Sequence, residues 1–300
     1  MNVLVTGATG YIGLNVATAY RRAGHEVWGL TRSPQKANIL ARHEIRPVTG
    51  SMQDPGSWAE AARSCSVLIH AAVDYQEDPF KLDRRTVEFL ISLAREAGPR
   101  PKTLIYTSGV WVYGGTGGAL VDETTPLNPP RLVSARPEIE RMVLQSSDVR
   151  GIVIRPGCVY GYQGGLTGMW FAGAVTEKSL KGVGDGRNRW TMIHADDLAD
   201  AYVRAGESGL AGEVFNVTDR SRFSVREMLE AVAGAAGYQG DIRFVPVAEA
   251  AAKMGHFAEC LALDQHVDSR KAVRLLGWQP RHSGFVDEVR SCFLSWQAAR

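Results

Sequence analysis

Val3-Leu4-Val5-Thr6-Gly7-Ala8-Thr9-Gly10-Tyr11-Ile12-Gly13 stands at the head of the chain and decides the reading of the fold. Val3-Leu4-Val5 is apolar without alternation, the pattern of a strand covered on both faces. From Tyr11 to Ala23 the apolar residues recur at helical spacing. Between the two lie three glycines in the spacing GxxGxxG. A helix N-terminus carries unpaired N–H groups and about half a positive charge, so this turn suits a pyrophosphate. Gly7 permits the tight turn, Gly10 lets the backbone approach a phosphate, and Gly13 lets helix and strand pack closely. With Ala8, Thr9, Tyr11 and Ile12 they form the expected dinucleotide cradle.

The same alternation continues outward from this unit. Val27 to Leu30 reads as a strand and Pro34 to Arg42 as a short helix. Ile45 to Val48 and Pro55 to Arg63 repeat the pair, and Val67-Leu68-Ile69 is another buried run. Phe80 to Ala97 is a long helix with Leu82, Phe89, Leu90 and Leu93 on one side. Thr103 to Tyr106 and Ile152-Val153-Ile154 complete six strands. Strands alternating with helices predict an α/β fold with a parallel sheet covered on both faces. After about residue 156 the pattern changes. Phe223 to Ala236 and Phe285 to Ala299 read as helices, and Val214 to Val217 and Ile242 to Phe244 as short strands. The expected division is a dinucleotide-binding domain over 1–156 and a smaller substrate lobe over 157–300, with some segments returning to the first.

Composition narrows the class. The 300 residues hold 34 Lys+Arg against 32 Asp+Glu, without a long block of like charge, so neither nucleic acid nor a membrane surface is an expected partner. No apolar run approaches the roughly 18 residues a bilayer span needs. The first strand follows Met1-Asn2 directly, and Cys65, Cys158, Cys260 and Cys292 form no CxxC, so a cytoplasmic protein with reduced thiols is expected. The 32 glycines exceed the usual share of roughly 7%. They crowd 109–118 and 157–168, after the fifth and sixth strands, where open parallel sheets bind ligands.

Ribose recognition falls at the end of the second strand, Leu30-Thr31-Arg32-Ser33. An NAD site places a carboxylate there for the 2′-hydroxyl. This stretch has none, and the Arg32 guanidinium suits a 2′-phosphate, so NADP is expected over NAD.

Further along, the chain resembles the extended short-chain dehydrogenase/reductase family, which includes NAD(P)-dependent epimerases and dehydratases. The resemblance rests on the glycine turn, Leu68-Ile69-His70-Ala71-Ala72, Tyr106-Thr107-Ser108 and Val112-Tyr113-Gly114. It continues through Arg155-Pro156-Gly157-Cys158-Val159-Tyr160-Gly161, Gly184-Asp185-Gly186 and Ile193-His194-Ala195-Asp196-Asp197-Leu198-Ala199. It ends in Asp268 to Pro280, with Leu275, Gly277, Trp278 and Pro280. It implies a Rossmann-type doubly wound sheet, a homodimer, and cofactor contacts from His70, Ala71, Ala72, Thr107, Ser108, Arg136, Pro156, Gly157 and Val159.

It also implies a Ser/Thr and a Tyr–Lys pair, with the Lys four residues after the Tyr. Counted from Glu140 and from Tyr113-Gly114, those positions hold Gly109, Leu132 and Arg136, and no YxxxK occurs in the chain. Pro137 is comfortable only in a first turn, so the helix here is expected to begin near Ser134 to Pro137, with Ser134 a candidate cap. Leu132 cannot donate a proton, and an arginine guanidinium, which does not give up its proton, is a poor shuttle. Ser108, Tyr113, Tyr160 and His194 are the substitute catalytic candidates, and no metal is expected.

Nucleotide-sugar members carry an arginine four residues before the position of His194. Here that residue is Trp190, with Arg189 beside it. Tyr75, Trp111, Trp170 and Trp190 are expected to line the substrate cleft. The reading is an NADP-dependent oxidoreductase acting on a small apolar or aromatic carbonyl or alcohol. Its rivals are a non-catalytic NADP-binding sensor or scaffold, a non-redox enzyme on the same fold, and a nucleotide-sugar epimerase or dehydratase.

Overall fold

The computed structural model describes residues 1–74, 78–96, 101–162 and 164–300. Among these the strands are β1 (Asn2–Thr6), β2 (Glu26–Thr31), β3 (Arg46–Thr49), β4 (Val67–His70), β5 (Lys102–Thr107), β6 (Val149–Pro156), β7 (Cys158–Tyr160), β8 (Leu180–Val183), β9 (Met192–His194), β10 (Glu213–Val217) and β11 (Ile242–Val245). The helices are α1 (Tyr11–Arg22), α2 (Pro34–Arg42), α3 (Ala59–Ser64), α4 (Pro79–Glu96), α5 (Arg136–Gln145), α6 (Gly165–Ala172), α7 (Ala195–Glu207), α8 (Val225–Ala236), α9 (Val247–Met254), α10 (Phe257–Leu261), α11 (Arg270–Leu276) and α12 (Phe285–Ala298).

One seven-stranded sheet runs in the order β10-β6-β5-β4-β1-β2-β3, and every pairing in it is parallel. From β1 the chain winds outward to β3, then crosses back to β4 on the other side of β1. That reversal opens a crevice at the carboxyl ends of β1 and β4, where doubly wound sheets take their ligands. The fold is the expected α/β Rossmann type.

The unalternating runs follow from burial on two faces. Val3 and Val5 join one core with Val16, Tyr20, Leu198 and Tyr202, packed under α1 and α7. Leu4, between them, points the other way into a core with Leu68, Leu104, Val87 and Leu90, under α4. Helix α1 buries Gly13, Val16, Ala17 and Tyr20, two i,i+4 pairs on one face. A third cluster, including Tyr160, Trp170, Phe171, Trp190, Phe285 and Trp296, is built from the later part of the chain.

The sequence reading misses β7, β8 and β9, which at three or four residues are too short to display a period. Pro55 to Arg63 is a 3-10 turn (Pro55–Trp58) leading into α3, not one helix. Ser134 does not cap α5. The cap position is Ala135, and the Ser134 hydroxyl donates instead to the Arg131 carbonyl at 3.0 Å. No helix among the described residues is long and apolar enough to cross a membrane.

Candidate active site

A cavity of about 680 Å³ lies over the carboxyl ends of the central strands. Its floor is the turn from β1 to α1. A Cβ on Gly7, whose φ is +69°, would come within 2.6 Å of the Ala71 carbonyl oxygen, and one on Gly13 would overlap the Gly7 carbonyl. A Cβ on Gly10 would meet only the Gly7 oxygen, at 3.1 Å, so the turn's open side faces the cavity. Gly10 caps α1 without a side chain, which leaves the N–H groups of the first helical turn available to an anion. These features fit a dinucleotide pyrophosphate. Such a group, when bound, supplies hydride transfer at its nicotinamide.

Gly7, Thr9, Gly10, Tyr11, Ile12, Arg32, Ala71, Ala72, Ser108, Arg136, Pro156, Gly157 and Val159 all line the cavity. Four other residues named for the cofactor stand behind its wall. Ala8 is fully buried, its methyl where a Cβ on Gly29 would collide. Gly13 is packed against Gly7. His70 Nδ1 lies 2.6 Å from Thr6 Oγ1, and its Nε2 lies 2.7 Å from Asp83 Oδ1. Thr107 pairs with the Tyr202 hydroxyl at 2.7 Å, and its carbonyl accepts from Arg136 Nη1 at 2.8 Å.

Among the catalytic candidates, only Ser108 reaches the cavity. Its Oγ is buried and has no hydrogen-bond partner among the described residues. Tyr113 lies outside the lining: its hydroxyl donates to Asn216 at 2.9 Å and accepts from Arg155 at 2.8 Å. Arg155 also grips Glu140 with Nε at 3.0 Å and Nη2 at 2.5 Å, a buried bidentate pair that fixes the end of β6 to α5. Tyr160 is fully buried in the third core, edge-on to His194 and Phe285. His194 caps α7, accepting from the Asp196 backbone N–H at 3.1 Å, and stacks on His282 with centroids 3.5 Å apart. Burial and the neighbouring His282 hold its pKa below the usual range. None of these three lines the cavity.

The tryptophans divide likewise. Trp111 lines the cavity, edge-on to Phe257 with centroids 6.0 Å apart. Trp170 and Trp190 stack on each other at 4.8 Å inside the third core, outside the lining. Tyr75 lies outside the described residues.

The positions of the missing triad sit together at the cavity. Gly109, Leu132 and Arg136 all line it. Leu132 belongs to a 3-10 turn (Arg131–Val133), and α5 starts at Arg136 with Pro137 in its first turn. At Gly109 an added Cβ would find nothing nearer than the Pro156 oxygen at 4.0 Å, and its φ of 177° is open to any residue. Space does not demand this glycine. Cys158 also lines the cavity, but burial pushes its thiol up to about 12, which keeps it protonated and a poor nucleophile.

Sequence reasoning missed Lys36, Gln53, Asp74, Phe80, Asp83 and Phe257, all of which line the cavity. Asp83 accepts from the Tyr106 hydroxyl at 2.7 Å as well as facing His70, so a buried Thr6–His70–Asp83–Tyr106 network opens into the site at one carboxyl. No local pattern marks these residues, because they reach the cavity from two loops and three helices scattered along the chain.

Residues 3–218 match the NAD dependent epimerase/dehydratase family. The chain belongs to that family. Among its relatives in the NAD-dependent epimerase/dehydratase family is the 3-diazoavenalumate denitrifying reductase of a Streptomyces species, 30% identical over 96% of this chain and 98% of the relative. The UDP-glucose 4-epimerase of Mycolicibacterium smegmatis is 28% identical over 94% of each chain. The crystal structure of Thermus thermophilus UDP-glucose 4-epimerase in complex with NAD superposes with a TM-score of 0.84 over the whole of both chains, at 21% identity, a likeness of fold. This family member is therefore an NAD(P)-dependent enzyme of the short-chain dehydrogenase/reductase type, an oxidoreductase or epimerase.

Proposed function

We propose that the protein is an NADP-dependent oxidoreductase that interconverts a small apolar or aromatic carbonyl and its alcohol. The observation that carries this reading is Ser108. Its buried hydroxyl, without a partner among the described residues, lines a cavity whose walls also include Val110, Trp111, Val133, Leu166 and Phe257. A buried hydroxyl without a partner costs about 1–3 kcal/mol, a cost removed when it donates to a bound carbonyl oxygen. That hydrogen bond would hold the carbonyl for hydride transfer and stabilise the charge that develops on oxygen. Arg136, tied to the Thr107 carbonyl, serves as an anchor for a ribose hydroxyl or phosphate. Arg32 and Lys36 on the cavity wall support NADP, because both are cations suited to a 2′-phosphate.

The residues that would grip a nucleotide sugar's diphosphate are otherwise engaged. Arg189 holds Asp264 through Nε and Nη2, both at 3.1 Å, and Trp190 donates to the Leu261 carbonyl at 2.9 Å. This favours a carbonyl or alcohol without a diphosphate.

Mixing the protein with NADPH and a panel of aromatic and aliphatic aldehydes and ketones tests the reading. The expected result is saturable NADPH oxidation with at least one aromatic carbonyl, and a loss of about a hundredfold in kcat/KM in Ser108→Ala. Tight UDP- or dTDP-sugar binding with no carbonyl turnover would return the reading to an epimerase or dehydratase. NADPH binding with no turnover of either substrate class would favour a sensor or scaffold.

A further inference from the structure

The end of β2 carries no carboxylate in sequence, but the fold delivers one there from elsewhere. Asp74 lies four residues beyond the end of β4, with 6% of its surface exposed. Its Oδ2 is 2.5 Å from Arg32 Nη1 and 3.2 Å from Gln53 Nε2. Gln53 follows β3, so the segments after β2, β3 and β4 converge on this one oxygen. Arg32, Lys36, Gln53 and Asp74 all line the cavity, along with Thr31, Gly50 and Ser51 at the ends of β2 and β3. With a pyrophosphate on the Gly7–Ile12 turn, the adenosine half of a dinucleotide would extend to this end.

Two opposite recognition chemistries therefore sit at one ribose position. A free 2′-hydroxyl is a donor that a carboxylate accepts. A 2′-phosphate is an anion that Arg32 and Lys36 attract and Asp74 repels. Only one Arg32 nitrogen is seen to engage Asp74, and its side chain is 60% exposed, so the guanidinium can still meet a phosphate.

We infer that Asp74 is the residue that sets cofactor selectivity, making this a site for both NAD and NADP and restraining the NADP preference that Arg32 would impose alone. The inference rests on the dinucleotide reading of the cavity. It narrows the NADP assignment drawn from the β2 sequence, because the carboxylate that reading found missing is supplied by a different strand.

Calorimetric titration of the purified protein with NADPH and with NADH tests it without any substrate. The wild type is expected to bind both, with dissociation constants within about tenfold of each other. Asp74→Asn removes the charge and keeps the shape. It should tighten NADPH about fivefold to tenfold and weaken NADH about fivefold, moving the ratio by more than an order of magnitude. Arg32→Gln is the second variant and should weaken NADPH at least tenfold while leaving NADH within twofold. It also serves if the Asp74 variant does not fold. If neither nucleotide binds the wild type, the dinucleotide reading fails and takes the inference with it. If both bind but Asp74→Asn leaves the ratio within twofold, only the inference is overturned. A parallel loss of both nucleotides in Asp74→Asn would make Asp74 a support for Arg32 and would overturn it equally. Equal weakening of both by Arg32→Gln would also count against it.

Discussion

Arg155 concentrates more of the fold's polar bonding than any motif assigns to it. One guanidinium holds both oxygens of Glu140 and the Tyr113 hydroxyl, all buried. Removing one member strands a charge away from water, which costs about 3–5 kcal/mol. Glu140→Gln should therefore lower the unfolding free energy by about 3 kcal/mol in a denaturant titration, and a change below about 1 kcal/mol would contradict this account. Asp219 makes the complementary case of a proton held by burial. Desolvation pushes its carboxyl from an ordinary 3.8 up to about 6, and one of its oxygens has no partner among the described residues. A group whose pKa is raised by folding binds its proton more tightly in the folded chain. Its contribution is present below about pH 4 and is lost as pH rises through about 6. Between pH 4 and 7 the wild type should lose on the order of 3 kcal/mol relative to Asp219→Asn. Parallel stability curves for the two proteins across that range would show the assignment to be mistaken.

At the scale of elements, α1 and the turn before it carry the tightest steric requirement. Helix and strand approach so closely at Gly13 that a methyl group would overlap the Gly7 carbonyl. Gly13→Ala should displace the turn, abolish nucleotide binding, and destabilise by about 1–3 kcal/mol, the usual cost of overpacking. Gly109 is the contrast. Its neighbours leave room and its backbone is extended, so Gly109→Ser should change stability by less than about 0.5 kcal/mol in a thermal melt. The two glycines look alike in a motif, and only their surroundings separate them. Helix α5 was legible for a different reason: Pro137 is tolerated only in an α-helix's first turn, and the α-helix does begin at Arg136.

On the scale of the whole molecule, the cavity is lined by segments from both halves of the chain, from Gly7 to Phe257. A ligand that bridges them stabilises the folded state by mass action. NADPH at a hundred times its dissociation constant should add about 2.7 kcal/mol and raise the melting temperature by about 4 °C. No shift at saturation would argue against a cofactor cavity. The sequence by itself determined the parallel sheet, the glycine turn and the displaced start of α5. Each of these follows from local rules: burial on two faces, backbone freedom at glycine, and the missing N–H of proline. What only the tertiary structure decided is which side chains face the cavity. Val159 lines it while Tyr160, next on the same strand, turns into the third core. Tyr113 sits in a recognisable motif yet is bound by Arg155 and Asn216. Asp74 and Asp83 carry no motif and reach the cavity because the loop after β4 and helix α4 bring them there. Alternation along a strand sends neighbours to opposite faces, so proximity in sequence places a residue near the cleft without saying which way it points. That direction is fixed by long-range packing, and with it the charges that meet the ligand.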